Sequence, residues 1–141
     1  MRVLFDTNVL IDFLLDRAPF ADAATDLLSR VDRGQILGMA CATSITTIFY
    51  LVQKALGRSE ARRHVATLLS ILEVAPVNRT NLERAADSGV SDFEDAVVIE
   101  AARQANATCI VTRDEGDFAR SALPVYSPVA LIRLLAHLPK K

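Results

Sequence analysis

The first sixteen residues, Met1-Arg2-Val3-Leu4-Phe5-Asp6-Thr7-Asn8-Val9-Leu10-Ile11-Asp12-Phe13-Leu14-Leu15-Asp16, contain one unit of the whole fold. Arg2 to Phe5 is a short apolar run suited to a buried strand, and Asn8 to Leu15 is a helix so apolar that only Asp12 marks a wet side. A strand passing almost directly into a helix is the opening half of a β-α-β unit, with Asp6 at the junction. The same stretch does not read as a secretory leader, because Asp6 and Asp12 interrupt it and no small-residue cleavage site follows. A cytoplasmic protein is the expectation.

Reading outward from this unit, the pattern repeats. Pro19 breaks the chain, and Phe20 to Arg33 places Ala24, Leu27, Leu28 and Val31 at helical spacing before Gly34 closes the helix. Gly34 to Gln53 holds no charged residue, a run long enough on count to cross a bilayer. Its Gln35, Thr43, Ser44, Thr46 and Thr47 argue instead for a buried strand, Ile36 to Ala42, and a core-facing helix, Thr43 to Leu56, whose start the hydroxyl cluster marks. No membrane association is expected. Gly57 ends that helix; Glu60 to Leu69 is the next, Leu72 to Val77 a strand, and Asn78 to Ser88 a polar helix stopped by Gly89. Asp92 to Ala105 is again helical, Thr108 to Thr112 a β-branched strand, and a segment at Phe118 and a strand near Val125 lead past Pro128 to a closing helix, Val129 to Leu138. This alternation predicts an α/β fold: one domain over residues 1–141, with a mostly parallel central sheet of about five strands and helices on both faces.

Composition agrees with one aliphatic core, since 51% of the 141 residues are hydrophobic and none is Trp. Sixteen Lys and Arg oppose seventeen Asp and Glu, a net charge of -1, so any polyanion site must be a local patch. Cys41 and Cys109, far apart in apolar runs, read as buried thiols in a reducing compartment. The glycines lack the spacing of a dinucleotide fingerprint or a P-loop. The lysines, Lys54, Lys140 and Lys141, include none at a strand end where a transferred phosphate would need one. His64 and His137 lie inside helices without Cys or Ser motifs, which disfavours zinc and nucleophile-histidine chemistry.

What remains is a set of acids at strand ends. In a parallel sheet the ligand site lies outside the carboxyl ends of the strands. Asp6 follows the first strand, Asp114 and Asp117 follow Ile110-Val111-Thr112-Arg113, and Asp92, Glu94 and Asp95 open the helix that returns to that later strand. Capping accounts for part of this: Ser91 and Glu94 have capping-box spacing, as do Thr112 and Glu115, Asp92 suits a helix N-terminus, and Asp6 can be an N-cap. Asp95, beside Ala96-Val97-Val98, gains nothing from capping. Converging carboxylates raise one another's pKa unless a cation lies between them, and an all-oxygen set points to Mg²⁺ or Mn²⁺. Asp6, Asp95 and Asp114 are therefore expected within reach of a shared ion, suited to activating water against a phosphodiester.

Asp6-Thr7-Asn8-Val9-Leu10-Ile11-Asp12, Ser44-Ile45-Thr46, Asp95-Ala96, and Val111-Thr112-Arg113-Asp114 followed by Asp117-Phe118 together resemble the PIN-domain family of metal-dependent ribonucleases, which includes many toxins of toxin-antitoxin pairs. The resemblance spans nearly the whole chain. It implies that Asp6, Asp95 and Asp114 are catalytic and metal-binding, with Asp117 an alternative or companion to Asp114, and Thr7, Asn8 and Asp92 as auxiliaries. It also implies an RNA substrate, an antitoxin partner and a homodimer, the exposed aliphatics of Gly34 to Gln53 and the last helix offering an interface. One departure stands out: the family commonly has a further acid early in the helix starting near Ser44, whereas this chain has none between Asp32 and Glu60. Thr47 offers a hydroxyl there that can coordinate directly or through a water, and a catalytically weakened RNA-binding or partner-binding module is the alternative to an endoribonuclease. Arg58, Arg62 and Arg63 on adjacent turns, with Arg113 beside Asp114, are candidate phosphate contacts or simply a solvated face.

Overall fold

The computed structural model describes residues 1–139. Five strands are β1 (Arg2–Phe5), β2 (Leu37–Cys41), β3 (Glu73–Ala75), β4 (Cys109–Val111) and β5 (Val125–Tyr126). Seven helices are α1 (Thr7–Leu14), α2 (Ala21–Asp32), α3 (Ala42–Leu56), α4 (Arg58–Ile71), α5 (Arg79–Ala86), α6 (Phe93–Gln104) and α7 (Pro128–Ala136), with a 3₁₀ turn over Glu115–Phe118. The strands form one sheet in the order β3-β2-β1-β4-β5, every neighbouring pair parallel. This is the α/β fold expected from the alternation of elements. No helix among the described residues is long and apolar enough to cross a membrane.

Period-two alternation explains the two cores. Val3 and Phe5 of β1 point to one face and pack with α1, α2, α3, α4 and α7 residues such as Leu10, Leu27, Ile48, Leu68 and Leu131. Leu4 points to the other and meets Met39, Ile110, Phe118 and the apolar stripe of α6. A sheet buried on both faces wants continuous apolar strands, which is why β1 is apolar from Val3 to Phe5 and β4 throughout, with Arg2 only at the start of β1. Cys41 and Cys109 are both free and buried.

Boundaries move where backbone, not side chain, does the capping. The hydroxyls Thr43 to Thr47 do not start α3: its N-cap is Cys41, with no side-chain bond, and Thr46 and Thr47 instead donate to the Thr43 carbonyl within the helix. The helix expected from Glu60 begins two residues earlier, at Arg58, because Gly57, at φ 93, turns α3 directly into α4. α5 starts with a reciprocal box in which the Asn78 side chain accepts from the Asn81 N–H and the Asn81 side chain from the Asn78 N–H.

The chain order of the strands sets the position of the site. From β1 the chain moves outward through β2 to β3, then returns to the other side of β1 for β4 and β5, so the direction reverses between β1 and β4. A crevice outside the carboxyl ends is expected at that reversal. Gly38 in β2 allows the helix layer to sit down on the sheet, since a Cβ there would stand 2.7 Å from Leu72 Cδ2 and 2.8 Å from Val31 Cγ2. Gly38→Ala should therefore cost about 1–3 kcal/mol through overpacking, measured by urea or thermal unfolding.

Candidate active site at the carboxyl edge

Asp6 leaves β1 at the reversal point and is almost fully buried, 6% exposed. Its backbone N–H extends the ladder to the Val111 carbonyl at 2.9 Å, which fixes it against β4. Both its carboxylate oxygens are engaged: Oδ1 accepts from the Thr7 N–H at 2.8 Å, as an N-cap, and Oδ2 accepts from Thr112 Oγ1 at 2.8 Å. Thr112, with its side chain wholly buried, also accepts from the Asp114 N–H at 3.0 Å and from Asn8 Nδ2 at 3.4 Å. Asn8 Nδ2 donates in addition to Asp114 Oδ2 at 2.9 Å, and Asn8 Oδ1 accepts from the Arg113 N–H at 3.4 Å. One hydroxyl and one amide thus tie Asp6 to Asp114. The T-x-x-E box at Thr112 and Glu115 does not form: the Thr112 oxygen accepts from the Asp114 N–H, and Asp114, not Thr112, stands at the cap of the 3₁₀ turn.

Asp95 comes from the first turn of α6. The cap of that helix is Asp92, whose Oδ1 accepts from the Asp95 N–H at 3.0 Å, not Ser91, and Glu94 does not reach back to complete a box. Glu94 is instead close enough to add its negative field to both Asp6 and Asp95. Burial pushes the Asp95 carboxyl up to about 7, and the charges of Asp92, Asp6, Asp117 and Glu94 push the same way. Burial likewise raises Asp6, against the lowering hydrogen bonds of Thr112 and Thr7, with Asp114 and Glu94 adding to the rise. Three chain segments therefore share one basin of mutually repelling carboxylates. Beside it opens a cleft of about 410 Å³ with Asp92 and Asp95 on one wall and Gly116, Asp117 and Arg120 on the other.

Convergence falls short of one expectation: among the described residues no three His, Cys, Asp or Glu side chains form a set that could hold a metal ion as they lie. The donor chemistry nonetheless fits a hard cation, being all oxygen. Two buried hydroxyls at the same edge, Thr7 Oγ1 and Ser44 Oγ on the first turns of α1 and α3, have no protein partner. Thr47 Oγ1 bonds to Thr43 at 3.4 Å, and α3 contributes no acid.

The four arginines singled out in the sequence fall in two separate places. Arg113 turns away from the basin: its Nε lies 2.6 Å from Asp12 Oδ2 and its second fork nitrogen 3.2 Å from Oδ1. Its guanidinium also stacks over the Phe20 ring at 4.0 Å, and Arg17 approaches Asp12 from the other side at 3.5 Å. A carboxylate as buried as Asp12 needs such partners, so Arg113 is spent structurally and is not a free RNA contact. Arg58, Arg62 and Arg63 sit at the start of α4, past the far end of a 15-residue α3 that begins at the carboxyl edge, about 22 Å along the helix axis. Arg63 pairs with Glu60 and Arg62 lies over the Phe49 ring. The fold does not bring these three to the acids. Sequence reading missed Thr112, Glu94 and Arg120 as site residues; only the T-R-D order pointed near the first.

The sequence pattern of the PIN domain matches residues 2–116, and the chain belongs to that family. No curated protein sequence matches it significantly. Among solved structures it is similar to VapC20 of Mycobacterium tuberculosis, described as a Sarcin-Ricin loop cleaving toxin, with TM-score 0.70 and 18% identity over 86% of this chain and 95% of that one. VapBC2 of Rickettsia felis, bound to a DNA fragment from its promoter, gives TM-score 0.69 and 16% identity over 89% and 97%. A toxin-antitoxin complex from Klebsiella pneumoniae gives TM-score 0.67 and 22% identity over 89% and 97%.

Two measurements follow from the geometry. Arg113→Ala leaves Asp12 buried with only the longer Arg17 contact and should cost about 3 kcal/mol in equilibrium unfolding. For pH, the unfolded Asp95 carboxyl titrates near its ordinary 3.8 and the folded one near 7, so between these values the folded state holds the extra proton. Stability should fall as pH rises from about 4 to about 7 and level off above. Thermal melts of Asp95→Asn across that window should show a shallower fall than the parent.

Proposed function

We propose that this protein is a metal-dependent endoribonuclease, the toxin of a toxin-antitoxin pair. The observation that carries the reading is the basin itself, in which buried Asp6 is coupled to Asp95 and Asp114 at the strand reversal of a PIN-domain fold. Asp6, Asp95 and Asp114 would hold Mg²⁺ or Mn²⁺, with Asp117 as a companion. A bound hard cation supplies an acidified water and neutralises charge developing on the phosphodiester oxygens. The chain's own residues do the positioning: Thr112 and the Thr7 N–H fix both oxygens of Asp6, and Asn8 orients Asp114. Asp12 and Arg113 anchor the loop that bears Asp114 against α1.

An antitoxin partner and a homodimer are part of the same proposal. The similarity to toxin-antitoxin complexes supports the first. Exposed Tyr50, Leu51, Leu56 and Leu69 on α3 and α4, and Val129 and Leu138 near the end of the described chain, offer apolar surface for either. The missing acid in α3 favours one second reading, a PIN-domain module that binds RNA or a partner with little catalysis.

An RNA-cleavage assay with and without Mn²⁺ separates the two. The parent should cleave only with metal, and Asp6→Asn should not cleave. Calorimetric metal titration should show no response for Asp95→Asn, a weakened one for Glu94→Gln, and a tighter one for Thr47→Asp. Equal responses of Asp95→Asn and the parent would remove Asp95 from the metal set, and an intact parent that binds RNA without cutting it would favour the binding module.

A further inference from the structure

We propose that Arg120 seats a backbone phosphate of single-stranded RNA in the cleft beside Asp95 and Asp117; the inference rests on the reading above and adds a binding residue to it. The cleft, about 410 Å³, has Arg120 as the one cationic side chain on its wall, facing three aspartates. Such a wall repels a polyanion everywhere except at that guanidinium. RNA passing along it to reach the basin therefore needs a fixed positive charge at this position.

Arg120 is also available for the role. Arg17, Arg30, Arg63, Arg79, Arg103 and Arg113 each lie within ion-pair distance of a carboxylate, and Arg120 has no such partner among the described residues. Its side chain is exposed, yet one side of the guanidinium is backed by Gly89, where a Cβ would stand 3.4 Å from a terminal fork nitrogen and 3.9 Å from Cζ. Gly89, at φ 77, holds a left-handed turn just before α6, and that turn brings the backbone to the side of the fork. A planar fork backed on one side and open on the other suits bidentate phosphate contact. Its position one residue beyond the 3₁₀ turn and its cap ties it to the Asp114–Asp117 loop.

The test is RNA binding by fluorescence anisotropy over a salt series, using two unrelated short single-stranded RNAs with Ca²⁺ in place of Mg²⁺, and gels to verify that the RNA stays intact. Arg120→Ala should weaken binding equally for both sequences and reduce the slope of log affinity against log salt by about 0.7. Arg120→Lys should restore the slope, because the charge returns, with affinity below the parent's because the fork does not. Melting temperature should not change, the side chain being exposed. An unchanged salt slope in Arg120→Ala overturns the proposal. Parallel cleavage in Mn²⁺ separates the two readings: a parent that cleaves while Arg120→Ala binds normally defeats the phosphate seat alone. A parent that binds with an Arg120-dependent slope but never cleaves defeats the nuclease alone, and a parent that binds no RNA defeats both.

Discussion

The hydroxyl of Thr112 is where the sheet becomes a site. It is buried beyond the reach of solvent, so its one donor and its acceptor positions must find partners within the protein. It finds them in the Asp6 carboxylate, the Asp114 N–H and the Asn8 amide. These bonds exist only because β1 and β4 are parallel neighbours in register, with Phe5 opposite Val111, which sets the residue after each strand beside the other. Slipping either strand by one residue would exchange the side chains facing the two cores, put Phe5 where Leu4 packs and carry Asp6 away from Thr112. The apolar alternation that builds the two cores and the placement of the acids are thus one constraint.

A second tie holds the same loop from the opposite side. Asp12, on α1, is 1% exposed and takes a two-pronged contact from Arg113, whose side chain is a quarter exposed and stacked on Phe20. Buried ion pairs contribute little net stability against an apolar substitute, but they forbid arrangements in which either partner is left alone. Here the forbidden arrangements are those in which the loop after β4 lifts off α1. The pair thereby keeps Arg113 out of the acidic basin, where its charge would compete with a metal ion, and leaves Asp114 turned toward Asn8.

How much of this was legible in the sequence depends on the range of the interaction. Strands, helices and the carboxyl-edge location of Asp6, Asp95 and Asp114 follow from local periodicity and from the direction of parallel connections, and both can be read along the chain. Caps were harder. Ser91 and Asp92 both carry an oxygen suitable for capping α6, and only the backbone path selects Asp92. Asn81 completes the α5 box with an amide one methylene shorter than the usual Glu or Gln, so its spacing gave no signal. Arg113 was least legible, since the carboxylate that claims it lies 101 residues away. Arg120 had no motif at all; its environment is created by a glycine turn and a loop that meet only in the folded chain.

The distribution of charge around the basin is lopsided, and that bears on the ion proposed for it. Acids arrive from β1, from the start of α6 and from the loop after β4, whereas the first turns of α3 bring only hydroxyls, one of them the unpartnered Ser44. A hydroxyl is a neutral donor and does little to offset the dehydration of Mg²⁺, which gives up its waters reluctantly. Under the proposed metal-dependent reading, Asp6, Asp95 and Asp114 would hold a hard cation, and α3 would add only neutral hydroxyl donors where a carboxylate would bind more strongly. Such a site would hold metal less tightly than one with an acid in α3, and activity would then depend on the concentration of metal.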